Sequence, residues 1–199
     1  MMQIFGGLRT RTFRTLWCLE ELGLPYELIA TPPRSDALRA VYAHGKVPAL
    51  LVEGQLISDS TAIMTYLADK HARLTHPAGS ILRAQQDAVT HFLLDEMDAC
   101  LWAAARHSFV LPQEMRLPTI KDSLKWEFAR AQKEFVRRLG DGPFLMGETM
   151  TITDIIATHC GTWATNAKFD ISEPGFAEYI ARMKARPAWK RVAALAAKG

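Results

Sequence analysis

The stretch Lys46–Tyr66, KVPALLVEGQLISDSTAIMTY, holds the residues whose types and spacing best suit a binding site. Val47-Pro48, placed ahead of a strand, is a candidate cis peptide bond, because X-Pro bonds give up most of the usual trans preference. In that geometry the backbone N–H and C=O of Val47 turn outward and can pair with an extended peptide as a short strand would. Asp59-Ser60 opens the helix that follows, where free backbone N–H groups and the helix dipole favour a carboxylate. Together these features predict a small site for a peptide-like ligand with a negative end. Other chemistries find less support. The three cysteines, Cys18, Cys100 and Cys160, lie inside helical patterns at wide spacing, as small buried hydrophobes do, and form no Cys-x-x-Cys pair. The six histidines are scattered, with no cysteine or carboxylate cluster around them, so no metal site is expected.

The elements that must position these residues follow from periodicity and punctuation. Gln3–Gly6 reads as a strand, Arg11–Leu22 as a helix with Leu16, Leu19 and Leu22 at helical spacing, and Gly23 with Pro25 as its stop. A strand over Pro25–Ala30 and a short helix near Ala37–Tyr42 come next. Ala49–Val52 and Gln55–Ile57 then flank Glu53-Gly54 as a tight hairpin, and Ser60–Lys70 is helical. The order is β-α-β-α-β-β-α. Beyond a linker over His71–Gly79 no strand signal remains. Helices are predicted over Ser80–His107, Ile120–Leu139, Ile152–Lys168, Gly175–Ala185 and Ala188–Ala197. Thr151-Ile-Thr-Asp154 has the pattern of an N-terminal capping box, a structural role.

Composition sets the outer limits. At 199 residues, with 49% apolar and 23% charged residues, the chain reads as an ordinary globular protein of one large domain or two small ones. A formal net charge of +3 and the absence of a dense basic run argue against nucleic acid as a partner. No apolar segment reaches the length of a membrane span and the start lacks a signal region, so the expected location is cytoplasmic, with reduced thiols.

The whole pattern resembles the cytosolic glutathione transferase family. The matching stretches are FRTLWCLEELGLPYEL, GKVPALLVEGQLISDSTAIMTYLA, FLMGETMTITDI and ARMKARPAWKRV, in the family's order and spacing. The resemblance implies an α/β thioredoxin-like N-terminal domain over residues 1–72 that binds glutathione. It also implies an all-α C-terminal domain over 80–199, and a homodimer. Glutathione would be the co-substrate, with its cysteinyl unit on the backbone of Val47 beside Pro48. Ser60 would take the γ-glutamyl carboxylate and Asp59 the ammonium. Lys46 is placed to meet the glycine carboxylate, with a solvated surface charge as its alternative.

The resemblance places the thiol-activating residue ten positions before Glu20, at Thr10, where relatives more often carry serine. Thr12 is the competing hydroxyl, Arg11 would add positive potential, and Arg14 would be a surface or interdomain ion-pair partner. A small hydrophobic electrophile would lie in a cleft between the domains, with Leu8, Trp102, His107, Phe109 and Trp163 as candidate lining; aromatics at helical spacing are also core residues. Asp95 or Asp98 is a candidate to approach the neighbouring subunit's glutathione. The expected activity is transfer of glutathione to alkyl or aryl electrophiles, a detoxification reaction. The alternatives are a glutathione-dependent peroxidase or thiol–disulfide reductase, and a non-catalytic binding or protein-interaction module on the same fold.

Overall fold

A computed structural model describes residues 1–196; the expected end of the last helix at Ala197 lies outside the described residues. Contacts divide the chain into two compact units, Met1–Ala78 with Lys184–Gly199, and Gly79–Met183. The sequence reading assigns 80–199 to one domain, whereas by contacts the segment from Lys184 onward groups with the first unit.

The first unit has the expected order: β1 (Met2–Phe5), α1 (Thr12–Leu22), β2 (Tyr26–Ile29), α2 (Asp36–Val41), β3 (Ala49–Val52), β4 (Gln55–Ser58) and α3 (Ser60–His71). The strands lie in the order β2-β1-β3-β4. β1 runs parallel to β2 and antiparallel to β3, with Ile4 opposite Leu50 and Phe5 opposite Ala49, and β3 pairs antiparallel with β4. Side chains alternate across a strand. Phe5 and Ala49 therefore face Leu38 of α2, and Ile4 and Leu50 are buried on the other side of the sheet. The hairpin turns at Glu53-Gly54, both at positive φ (52° and 74°), the conformation that a two-residue type I′ connection requires.

α1 ends as the Gly23 signal predicts. Gly23 is left-handed, and the Leu24 N–H donates to the Leu19 carbonyl at 3.0 Å, closing the helix in a Schellman turn. The Arg73 guanidinium donates to the Glu21 and Leu22 carbonyls at 3.0 and 3.1 Å, a cation where the helix dipole favours one. The same helix end holds α9 (Pro187–Ala196). Arg186 forks onto the Glu21 carboxylate at 2.7 and 2.9 Å, and Arg191 pairs with Glu20. Glu21 also accepts from the Trp17 indole at 2.9 Å. Its side chain is only 10% exposed, so this pair is shielded far more than an ordinary surface salt bridge. These bonds account for the regrouping of the C-terminal helix.

The second unit is helical. α4 (Ile81–Phe92) continues through a π-helical stretch at Leu93–Asp98 into α5 (Ala99–Ala105) and a second π-helical stretch at Arg106–Val110. Periodicity alone reads this run as a single helix, because an i→i+5 turn shifts the register without breaking the apolar stripe. α6 (Ile120–Leu139), α7 (Ile152–Asn166) and α8 (Pro174–Lys184) follow. Among the described residues, no helix is long and apolar enough to cross a membrane.

The capping box at Thr151 and Asp154 forms, and it anchors more than one helix end. The fully buried Asp154 accepts from the Thr151 N–H at 2.8 Å, the Leu145 N–H at 2.9 Å and the Tyr179 hydroxyl at 2.7 Å. It thus ties the start of α7 to α8 and to the preceding loop. Burial pushes its carboxyl upward, against the pull of these donors. Tyr179 in turn packs edge-on against Phe135, with ring centroids 5.0 Å apart. Asp154→Ala leaves three donors unpaired in the core and is expected to lower stability by about 3–4 kcal/mol. Tyr179→Phe, which removes one donor, is expected to cost about 1.5–3 kcal/mol. Chemical denaturation monitored by circular dichroism checks both values and their order.

Candidate ligand site at one end of the sheet

Three segments meet at one end of the sheet because of its register. The end of β1 at Phe5 lies opposite the start of β3 at Ala49, and Ala49 lies opposite Ser58 at the end of β4. The Gly6–Arg11 loop, the Val47-Pro48 bend and the start of α3 therefore emerge together. Gly6 makes the approach close: its φ is +142°, and a Cβ there would overlap the Thr12 hydroxyl and sit 3.0 Å from the Val47 Cβ. From the sequence, Gly6 reads only as a strand end. The Gly6-Gly7 pair was the available signal, since consecutive glycines mark backbone that side chains would obstruct.

The Val47-Pro48 bond is cis, as the residue pair predicts. Val47 is half-buried, and its backbone N–H and C=O make no hydrogen bond among the described residues. Lys46 beside it is exposed.

At the start of α3, Asp59 is the N-cap at φ 74° and ψ 130°, a region that side chains rarely enter. Its Oδ1 accepts from the Thr61 N–H at 2.7 Å and the Ala62 N–H at 3.3 Å, while its carbonyl accepts from the Ile63 N–H at 3.0 Å. This uses up the early helix donors except that of Ser60, which is only 2% exposed and stands at the first helical position. Oδ2 of Asp59 takes no hydrogen bond among the described residues. The site thus offers a free N–H, a hydroxyl and a carboxylate oxygen within two residues. The capping role of Asp59 was missed at the sequence level, although Asp before a helical run is a strong N-cap signal.

In the loop after β1, the two threonines separate by environment. Thr12 is fully buried in the first turn of α1, whereas Thr10 is half-buried. The Thr10 hydroxyl donates to the Gly7 carbonyl at 2.7 Å. Its oxygen accepts from the Thr12 N–H at 3.1 Å and shares a 2.8 Å contact with the Thr12 hydroxyl. With Thr12 as the donor in that contact, both lone pairs of the Thr10 oxygen are filled and its own proton is polarised for donation. Arg11 is the N-cap residue of α1 and half-buried. Arg14 is fully buried, which overturns the surface half of its reading as a surface or interdomain ion-pair partner: it lies in the first turn of a helix that also buries Leu16, Trp17, Cys18, Leu19 and Leu22.

The remaining candidates fall elsewhere. Leu8 is half-buried in the loop of the first unit. Within the helical unit, Phe109 and Trp163 line one cavity of about 290 Å³, which Trp102 and His107 do not line. The His107 Nδ1 accepts from the Leu117 N–H at 3.1 Å. Asp98 is buried, with the Cys160 thiol 4.0 Å from its Oδ2, whereas Asp95 is exposed. Burial pushes the Cys18 and Cys100 thiols up to about 12, so neither is a thiolate near neutrality. Among the described residues no group of His, Cys, Asp and Glu could hold a metal ion.

Comparison with known proteins bears on the fold that carries this site. The family model for the glutathione S-transferase N-terminal domain matches residues 12–76. The chain is similar to glutathione transferases through the N-terminal domain that this model describes. A glutathione S-transferase of Escherichia coli, GstA, is 27% identical over 85% of this chain and 86% of its own length. A protein named putative glutathione S-transferase alpha-2, from Dictyostelium discoideum, is 27% identical over 69% of this chain, which spans 61% of that relative. In three dimensions, the glutathione transferase URE2P8 of Phanerochaete chrysosporium, solved with oxidized glutathione, superimposes with a TM-score of 0.85. At 23% identity over 99% of this chain and 95% of that one, it shows a shared fold. Glutathione transferases use glutathione as co-substrate.

The glycine at the junction yields a test of the site's construction. Gly6→Ala must displace the Thr12 hydroxyl at a φ that side chains avoid, and is expected to cost about 2–3 kcal/mol. Gly7→Ala, where a Cβ meets nothing within 4 Å, is expected to stay within about 0.5 kcal/mol of wild type. Urea denaturation of the two variants compares them directly.

Proposed function

We propose that the protein is a glutathione transferase that activates the glutathione thiol for attack on small apolar electrophiles. The observation that carries this reading is the meeting, at one sheet end, of an unpaired Val47 backbone, a helix start with a free Ser60 N–H, and the Thr10 hydroxyl. The Val47 N–H and C=O pair with the cysteinyl unit as a strand would. The Ser60 N–H and hydroxyl take the γ-glutamyl carboxylate at the positive end of α3. Oδ2 of Asp59 faces the ammonium, because Oδ1 is already committed to the helix. Lys46 meets the glycine carboxylate.

Thr10 then acts on the sulfur. A free thiol has a pKa of about 8.5, and the thiolate is the nucleophile. A thiolate competes for the Thr10 proton against the neutral Gly7 carbonyl, and the charged acceptor makes the stronger bond. Arg11 and the start of α1 add positive potential. In the transfer, the thiol proton passes to solvent and a carbon–sulfur bond forms. With an aryl halide, the carbon–halogen bond breaks and halide leaves with the bonding pair. The protein's own buried thiols take no part, which disfavours a reductase that works through a protein cysteine. By the same reading the protein works as a homodimer in the cytoplasm.

Ser60→Ala is expected to weaken glutathione binding by about 1.5–3 kcal/mol, the range for a hydrogen bond to a charged group. Calorimetric titration reads this out, and an unchanged dissociation constant removes Ser60 from the site. Thr10→Ala is expected to slow turnover about tenfold to a hundredfold on the same energy scale. The pH–rate profile moves to higher pH, since losing a donor raises the bound thiol's pKa. Rates on an aryl halide, an organic hydroperoxide and a mixed disulfide separate transferase from peroxidase and reductase. A wild-type protein that binds glutathione and turns over none of the three is a binding module. A Thr10→Ala variant with undiminished rates removes Thr10 from catalysis.

A further inference from the structure

We propose that Trp189 of α9 is a positioning residue for the Thr10 hydroxyl, acting through the ring of Phe13. This rests on the reading of Thr10 as the group that acts on the glutathione sulfur, while the contact itself lies wholly within the first unit. The start of α1 lacks the devices that fix the starts of α3 and α7. Asp59 caps α3, and Thr151 with Asp154 caps α7. Arg11, the N-cap of α1, makes no side-chain cap bond, and the first turn has no acidic residue. The first amides of α1 run back to Thr10 instead. The Thr12 N–H donates to the Thr10 hydroxyl oxygen and the Phe13 N–H to the Thr10 carbonyl, both at 3.1 Å. Thr10 and the first turn of α1 therefore hold one another, and whatever fixes Phe13 also fixes the Thr10 hydroxyl.

Phe13 is held from α9. Phe13, Trp17, Glu20 and Glu21 stand at i, i+4, i+7 and i+8, on one face of α1. Arg186 and Arg191 pair with Glu21 and Glu20 at the last turn of that face. About 12 Å back along the helix axis, the Trp189 indole meets the Phe13 ring. Their centroids are 5.8 Å apart and their planes tilted by 54°, a geometry in which aromatic rings attract beyond their buried area. Trp189 is fixed in turn. It sits in the first turn of α9, whose Ala188 and Val192 are buried, and the Lys184 ammonium lies 5.1 Å over its ring, as in a cation–π pair. The ion pairs alone anchor α9 to one end of α1. The ring contact carries that anchoring to the end that bears Thr10.

Both rings are only half-buried, so losing the contact loosens the first turn of α1 without emptying the core. A loosened turn spreads the Thr10 hydroxyl over more orientations, and a bound sulfur then receives a weaker hydrogen bond. Its thiol becomes a weaker acid, with less thiolate on the acid limb of the pH–rate profile. Val47 and Ser60, on other segments, keep their hold on the rest of the tripeptide.

The test is amide hydrogen exchange on the full chain, read by NMR, together with rates on an aryl halide across pH. In Trp189→Ala the Thr12 and Phe13 amides are expected to exchange at least about tenfold faster, with the Ile63 amide of α3 unchanged as reference. The midpoint of the pH–rate profile is expected to move up by about 0.5–1, with rates on its acid limb about threefold to tenfold lower, as the thiolate fraction falls by the same factor. Binding of S-methylglutathione, which has no thiol to ionise, is expected to stay within about twofold of wild type by calorimetry. Trp189→Phe is expected to restore exchange and profile, and Arg191→Ala, at the other end of the contact, to leave both unchanged. Added to Thr10→Ala, Trp189→Ala is expected to move the profile no further. Phe13→Leu is expected to reproduce Trp189→Ala, and it decides the matter if circular dichroism shows that variant unfolded. Unchanged exchange at Thr12 and Phe13, an unmoved profile where Thr10→Ala moves it, or an equal shift from Arg191→Ala overturns the proposal. If Thr10→Ala leaves the profile unmoved, or the wild type does not turn over the halide, the catalytic reading of Thr10 fails. Exchange in the ligand-free chain then still decides whether Trp189 positions Thr10.

Discussion

The antiparallel pairing of β1 with β3, which sets Phe5 opposite Ala49, is the constraint on which the candidate ligand site depends. Because β3 also pairs antiparallel with β4, one register brings the Thr10 loop, the Val47-Pro48 bend and the Asp59-Ser60 helix start to the same end of the sheet. The pairing is held by burial on both faces: Ile4 and Leu50 are fully buried on one, and Phe5 and Ala49 meet Leu38 on the other. A slip by one residue would exchange those faces and expose one set of apolar side chains. The core therefore specifies the site's geometry without contributing a single polar atom to it.

Around that frame, polar groups are arranged by what the backbone leaves unpaired. Asp59 occupies a conformation that costs about 1–3 kcal/mol, offset by the two helix N–H groups that its carboxylate accepts. The consequence is that Ser60 keeps its own N–H. At the loop after β1, the missing side chain of Gly6 lets Thr12 pack under Thr10 and fill its lone pairs. At both places a residue that serves the backbone leaves its neighbour's polar group available to a ligand.

The same division holds at the helix ends that join distant parts of the sequence. Glu20 and Glu21 pair with Arg191 and Arg186 across most of the chain length, and Asp154 joins α7, α8 and the preceding loop. Two stretches that carry the resemblance in the sequence, LEELGLPY and ARPAWKR, are thus partners in one packed unit. The sequence reading places them in different domains, because helical periodicity carries no information about which sheet or bundle a helix joins.

Much of the chain was legible from local signals, for definite reasons. Gly23 ends a helix because only glycine is at ease in the left-handed conformation there. Glu53-Gly54 turns a hairpin, Val47-Pro48 bends, and Thr151 with Asp154 caps. Each is decided by residues within a few positions of one another. What lies beyond was decided by tertiary structure: the burial of Arg14, the commitment of Asp59 to a cap, the π-helical stretches within the Ile81–Val110 run, and the reach of Trp189 from α9 to Phe13. These depend on which distant groups share an environment. The chain by itself determined most of its elements and the ends of its helices, since hydrogen-bond partners there are neighbours in sequence. Only the folded structure decided which polar atoms remain unspent, because that depends on partners distant in sequence and brought together by packing.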